Sequence, residues 1–283
     1  MKKILLSLIC FFISIQQAKA QNIVLLIADG MGENHIECTA KENKLFLKTL
    51  FPKGKITTHS YSDAITDSAA SATSYSCGIK TINKYLGLDK DEKLCQTLAE
   101  LSTLLGYQTI IRTSDVITGA TPAAFYAHTN SRYNTKEINA YLKTAQQTMD
   151  IKSVEEIDIE AKKIFSNLRK NPQKFFLVIE ESETDKQSHN NNLQKMKEAL
   201  VRFDNAVKEA FSFANENKNT TVVVLADHET GGLTTTCEYT SHNHTASPIL
   251  YYAFGKYENL FTEPVLDNIS INHKIKSILT EQH

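Results

Sequence analysis

The chain has 283 residues, 31 Lys+Arg against 32 Asp+Glu, a formal net charge of −1 and 41% hydrophobic residues. That length can bury one sizeable core. The even charge, without a basic run, speaks against a nucleic-acid-binding domain, and after the first twenty residues no apolar stretch is long enough for a membrane anchor.

The chain opens on "MKKILLSLICFFISIQQAKA", with Lys2 and Lys3, an apolar run from Ile4 to Ile15 and small residues at Ala18 and Ala20. This reads as a secretory signal peptide over residues 1–20, too short for a membrane span, and it implies a periplasmic or secreted protein. Cys10 follows a bulky Ile9 inside the apolar run, which argues against a lipoprotein site. The segment holds three Lys and no acid, so the remaining 283 − 20 = 263 residues carry 28 − 32 = −4 charges. Cys38, Cys77, Cys95 and Cys237 remain. Their spacings match no paired metal pattern, and export permits disulfides, but spacing assigns no pairing and leaves buried thiols equally open.

"NIVLLIADGMG" (22–32) is a continuous apolar run closed by Asp-Gly, the pattern of a buried parallel strand with a functional residue at its carboxyl end. "YQTIIRTS" (107–114), "KFFLVIEES" (174–182), "TTVVVLADHETGG" (220–232) and "SPILYYAFG" (247–255) repeat that design. Helical patterns separate them at 92–106, 155–169 and 192–217, the last with Met196, Leu200, Phe203, Val207 and Phe211 at core spacing. Residues 134–170 read as a surface helical excursion. The expected fold is α/β, a mostly parallel central sheet with helices on both faces. With no repeat, low-complexity tract or Pro/Gly-rich linker, residues 21–283 form one domain.

Strand ends bring Asp29, Glu180, Asp227 and His228 to one rim, where ligands bind in such sheets. "ETDKQSH" sets Asp185 and His189 four apart, on one helix face if helical, and "SHNHT" adds His242 and His244. A lone strand-end Asp is often only a helix cap. Several acids converging without partners would repel one another, and divalent cations would offset that repulsion. The donor set sorts into nitrogen–oxygen sites suited to zinc and a harder oxygen site suited to magnesium.

"LLIADGMG", "TDSAASAT", "ATPAAFYAHTNSR", "VIEESETDKQSH", "ADHETGG" and "HTASPILYYAFG" follow one another in this order. The chain thereby resembles the alkaline phosphatase family over residues 22–255, and the resemblance implies that family's three-layer sandwich. It implies Ser68 as nucleophile, forming a phosphoserine that water hydrolyses. Two zinc ions are implied, one on Asp185, His189 and His244, the other on Asp227, His228 and Asp29 beside the Ser68 oxygen. One magnesium is implied on Asp29, Thr121 and Glu180. Arg132 would grip two phosphate oxygens, Asp67 would orient Arg132, and Lys186 would reach the phosphate directly or through water. His128 is read as supporting or structural, and His242, His35 and His59 as exposed histidines without a role. Ala69, Ala70 and Ala72 leave room for close approach to sheet and metals, while Ser71, Ser74 and Ser76 are read as packing or surface hydroxyls.

The sequence also departs from the family. Gly119 stands where some members carry Asp or His two residues before the magnesium-site threonine, which implies weaker magnesium binding. The segments before "SHNHT" and between Arg132 and residue 174 are short, which implies reduced insertions and an open site, and leaves a homodimer open. The expected function is an exported phosphomonoesterase acting on small phosphomonoesters. The alternatives are a phosphodiesterase or sulfatase of the same superfamily, or a non-catalytic exported protein that holds metal or phosphate.

Overall fold

The computed structural model describes residues 21–281, so the expected signal peptide lies outside the described residues. The first half of the described chain runs β1 (Asn22–Ala28), α1 (Glu33–Ala40), β2 (Gly54–Thr57), α2 (Ser68–Cys77), α3 (Leu98–Leu104), β3 (Gln108–Thr113), α4 (Ala120–Ala123), α5 (Thr135–Ala145) and β4 (Met149–Ser153). The second half runs α6 (Ile157–Lys170), β5 (Phe175–Glu181), α7 (Glu183–His189), α8 (Leu193–Glu216), β6 (Thr220–Leu225), β7 (Glu229–Thr230), β8 (His244–Thr245), β9 (Ile249–Gly255), β10 (Val265–Asp267) and α9 (Asn268–Leu279).

Eight strands form one sheet in the order β10-β2-β9-β6-β1-β5-β3-β4. β1 lies between β5 and β6, parallel to both, and every one of its residues is buried. Helices cover the sheet in two groups. α8 packs with α1 and α6 and against the central strands, whereas α2, α3, α4 and α9 pack among themselves, with α3 and α4 against β3. The stripe anticipated in α8 is core: Met196, Leu200, Phe203 and Val207 are fully buried, and Phe211 packs edge-on to Phe46 and Phe254. Each such side chain contributes about 1.5–3 kcal/mol of hydrophobic stabilisation.

The structure corrects the sequence reading at three places. "SPILYYAFG" gives β9, but β9 runs antiparallel to both β6 and β2 and ends at Gly255, not at a functional side chain. The helix expected over 92–106 spans only Leu98–Leu104, because Thr97 caps it: its side chain accepts from Glu100 N while Glu100 reaches back to Thr97 N. The excursion at 134–170 contains β4, which adds to the sheet edge parallel to β3; its five polar-mixed residues carry too weak an alternation to be read as a strand.

Two disulfides settle the cysteines. Cys38–Cys237 joins α1 to the loop before β8, and Cys77–Cys95 joins the end of α2 to the segment before α3. The bridges span 199 and 18 residues of sequence. In the chain-entropy account the first restricts the unfolded chain by about 5 kcal/mol and the second by about 3 kcal/mol. Reduction is therefore expected to lower the melting temperature, and Cys38→Ser/Cys237→Ser to lower it more than Cys77→Ser/Cys95→Ser. Calorimetry of the two double variants checks this; equal losses would contradict it.

Candidate active site

The carboxyl ends of β6, β1 and β5 lie side by side, with Ile27 in register with Leu225 and with Glu180. That register brings Asp29, Asp227 and Glu180 together although they are far apart in sequence. The turn after β1 is made by Gly30 at φ +74°, where a Cβ would lie 2.8 Å from Thr230 Oγ1 and 2.9 Å from the Asp185 Cα. Glycine is required here both for its backbone angle and for the close approach of three segments.

Ser68 opens α2 and is 3% exposed. Asp67 caps the helix by accepting from Ala70 N at 3.0 Å, and its other carboxylate oxygen accepts from Arg132 Nη1 at 3.1 Å. Burial lowers the Arg132 pKa, but the adjacent Asp67 outweighs it and raises it. Ala69, Ala70 and Ala72 are fully buried, so the helix seats tightly. Ser71, Ser74 and Ser76 are packing hydroxyls, none on the surface: Ser71 Oγ donates to the Asp227 carbonyl at 2.7 Å and Ser76 Oγ to the Ala124 carbonyl at 2.6 Å. With Tyr75 Oη donating to the Ala226 carbonyl at 2.7 Å, α2 is fastened to the segment that carries Asp227 and His228. Ser68 Oγ thus lies 3.3 Å from His228 Nε2.

His228 Nε2 also lies 3.4 Å from Asp29 Oδ1 and 3.2 Å from Asp227 Oδ2. Across the site His189 Nε2 is 3.3 Å from Asp185 Oδ2 and 3.1 Å from His244 Nε2, and His244 Nε2 is 3.6 Å from Asp185 Oδ1. The His228 and His244 rings stack at 3.5 Å. Each histidine has its Nδ1 engaged by an oxygen: His189 donates to the His242 carbonyl, His244 to the Thr66 carbonyl at 3.0 Å, and His228 lies 3.2 Å from Thr230 Oγ1. All three Nε2 atoms therefore face the site, as oriented imidazole ligands do.

The electrostatics fit cations. Burial, followed by the charges of Asp185, Asp227 and Glu180, raises the Asp29 pKa well above the usual carboxylate range. Burial pushes Asp227 up to about 6 and Glu180 up to about 8. His228 is held well below its ordinary value by burial and by His244. Asp185 moves the other way: burial opposes it, but the hydrogen bond to His189 and the nearby histidines lower it. Asp29 Oδ1, Asp227 Oδ2 and Thr121 Oγ1 are buried and make no hydrogen bond of ordinary geometry among the described residues. Buried polar atoms are seldom left so; three of them at one rim, among carboxylates and imidazoles, match the demands of divalent ions. Two groups, Asp29/Asp227/His228 and Asp185/His228/His244, could each hold a metal ion.

Thr121, in α4, sits beside the Glu180 carboxyl, whose Oε2 accepts from Thr113 Oγ1. Asp115, which the sequence did not single out, faces this corner. Lys186 Nζ donates to Asp115 Oδ1 at 2.8 Å and lies 3.3 Å from Glu183 Oε1, so its ammonium is held by carboxylates at the rim. A Cβ at Gly119 would lie 2.5 Å from Asp115 Oδ2. The space a side chain at 119 would use is taken by a carboxylate from four residues upstream, which no spacing rule reveals.

His128 is away from this cluster, between the Gly87 carbonyl and Glu100, both at 2.8 Å. His242 is exposed, yet its carbonyl orients His189. His35 is not an exposed histidine: it is fully buried, 3.0 Å from Ser188 Oγ, and burial lowers its pKa to about 4.

A family model described as alkaline phosphatase matches residues 20–165 and 160–247. The chain is 26% identical to alkaline phosphatase 3 of Bacillus subtilis (strain 168) over 341 residues, which is 94% of this chain and 72% of that protein. The solved alkaline phosphatase from the Antarctic bacterium TAB5 superposes with a TM-score of 0.80 at 27% identity, covering 92% of this chain and 97% of that one. A variant of the same TAB5 protein, at TM-score 0.80, 26% identity and the same coverage of both chains, holds Mg in a site termed M3.

Proposed function

The chain belongs to the alkaline phosphatase family, and on that premise we propose that it is an exported metal-dependent phosphomonoesterase working through Ser68. The observation that carries the reading is the joint position of Ser68 Oγ, 3.3 Å from His228 Nε2, and Arg132, held by Asp67 from the residue next to that serine.

Asp185, His189 and His244 would hold one zinc, and Asp29, Asp227 and His228 a second beside Ser68; Asp29, Thr121 and Glu180 would hold magnesium. When bound, such cations favour the alkoxide form of a serine, activate water and stabilise a leaving oxygen. The chain's own residues do the rest. Ser68 Oγ attacks phosphorus, forming the serine O–P bond as the P–O bond to the alcohol breaks. The amino end of α2 favours negative charge at that oxygen. Arg132 binds two non-bridging oxygens in a fork, and Asp67 keeps the guanidinium aimed. Lys186, tied to Asp115, reaches the phosphate through water. Water then cleaves the phosphoserine, and Ser68 is restored. Residues 21–283 act as one catalytic domain. The two disulfides support export to an oxidising compartment. No helix among the described residues is long and apolar enough to cross a membrane.

A matched panel tests the substrate class. With zinc and magnesium, an aryl phosphate monoester is expected to be hydrolysed at least about 100-fold faster than the corresponding diester or sulfate ester. Arg132→Ala is expected to cost about 100-fold in kcat/KM on the monoester, the size of two charge-assisted hydrogen bonds, and less on the diester, which offers one charge. Equal turnover of diester or sulfate would move the protein to another branch of the superfamily. Stoichiometric metal binding without turnover of any ester would make it a binding protein.

A further inference from the structure

We propose that the Thr230 hydroxyl is a shared positioning group for both zinc sites, holding Asp185 of one and His228 of the other through a single oxygen. The inference rests on the metal assignment above and goes beyond it. Thr230 is fully buried. Its Oγ1 donates to Asp185 Oδ1 at 2.5 Å and lies 3.2 Å from His228 Nδ1. A hydroxyl has one proton. Given to a carboxylate, where the bond is charge-assisted and strong, that proton leaves Oγ1 only as an acceptor toward the imidazole. His228 therefore carries its proton on Nδ1, and its Nε2 lone pair points to Asp29, Asp227 and Ser68, at 3.4, 3.2 and 3.3 Å.

The position of the hydroxyl is fixed from several directions. Thr230 N donates to the Gly30 carbonyl at 3.1 Å, and Thr230 pairs with His244 between β7 and β8. The Gly30 backbone leaves no spare volume beside Oγ1. Thr230 thus touches the turn after Asp29, the strand carrying His244, and one ligand of each site directly. His189 and His244 are oriented by backbone carbonyls, which no substitution removes. His228 is the one of the three oriented by a side chain, so its support can be deleted.

The test is zinc binding by the metal-free protein, measured by competition with a chromophoric chelator. Wild type is expected to bind two equivalents tightly. Thr230→Val, nearly the same shape without the hydroxyl, is expected to bind both about 10–100-fold more weakly, the usual cost of losing an orienting partner. Thr230→Ser is expected to stay within about threefold of wild type. Long-range proton–nitrogen spectra are expected to show the Nδ1–H form of His228 in wild type and in Thr230→Ser, and a mixture in Thr230→Val. Should the valine variant not fold, Thr230→Ala carries the same expectation. Wild-type affinity at both sites in the valine or alanine variant, or weakening at one site alone, overturns the shared role. Failure of wild type itself to bind two equivalents overturns the metal assignment and, with it, this proposal.

Discussion

Ser68→Ala is expected to lose on the order of 10⁴-fold or more in kcat on phosphate monoesters while keeping its fold. Removing a nucleophile eliminates the covalent route and leaves only binding and electrostatic assistance. The structural cost is small, because among the described residues the Ser68 hydroxyl has one hydrogen-bond neighbour, His228 Nε2 at 3.3 Å, and the cap of α2 belongs to Asp67. Loss of one such bond is worth about 1 kcal/mol, so the variant should melt within a few degrees of wild type. Labelled inorganic phosphate at acid pH should mark wild type on Ser68 and leave the variant unmarked. Substantial turnover by Ser68→Ala, or a label on another residue, would remove Ser68 from the reaction.

Much of the centre of this fold was legible because both faces of its strands are buried. "NIVLLIA" and "TTVVVL" are buried at every position and, past Asn22 and the two threonines, wholly apolar, as a strand covered on both faces at the centre of the sheet requires. The acids at their ends were legible for the same reason: a charged residue directly after such a run must lie at the rim. β4, at one edge of the sheet, and β2, next to the other edge, were not legible, since strands of four or five mixed residues leave no clear period. Nor was the antiparallel course of β9, because direction is set by how the chain returns and not by composition. In the site, the residues facing inward are marked by their chemistry, whereas those that hold them are not, even where they fall in the same motifs as Ser71 and Thr230 do. Ser71, Thr230, Asp115 and the His242 carbonyl act through contacts spanning from two to 156 residues of sequence. By residue type Ser71 is a plain packing hydroxyl; its bond to the Asp227 carbonyl exists only once α2 lies beside the segment that follows β6.

The metal-free protein is expected to lose stability as pH rises from about 6.5 to about 8.5, and the metal-loaded protein to keep it. In the metal-free fold Glu180 is raised from 4.5 to about 8 and Asp227 from 3.8 to about 6, both chiefly by burial, and Asp29 is raised as well. A carboxyl raised by folding keeps a proton that the unfolded chain has already released. Between its two values the folded state binds more protons, and stability falls with rising pH. His228, lowered from 6.5, acts in the opposite sense, but only below 6.5, where the unfolded chain is still protonated. Asp185, lowered by its histidine partners, contributes stability that is lost only under acid conditions. Above about pH 6.5 Glu180 continues the loss, with Asp29 acting in the same sense and Asp227 already ionised, and His128 and His189, both raised above 6.5, add to it because the unfolded chain has by then released their protons. Cations cancel the trend because they bind the deprotonated groups and displace the protons, so that these carboxyls are ionised in the loaded fold as they are in the unfolded chain. At free metal about 1,000 times the dissociation constant, binding adds roughly 4 kcal/mol, or roughly 10 °C in melting temperature for a chain of this size. The gap between loaded and chelated protein should therefore widen steadily from pH 6.5 to 8.5 in calorimetry, and chelation at pH 8.5 should abolish turnover, with zinc and magnesium restoring it. A chelated protein whose melting temperature is flat or rising over that interval would mean that Asp29 and Glu180 do not lie in the crowded, cation-demanding cluster described above.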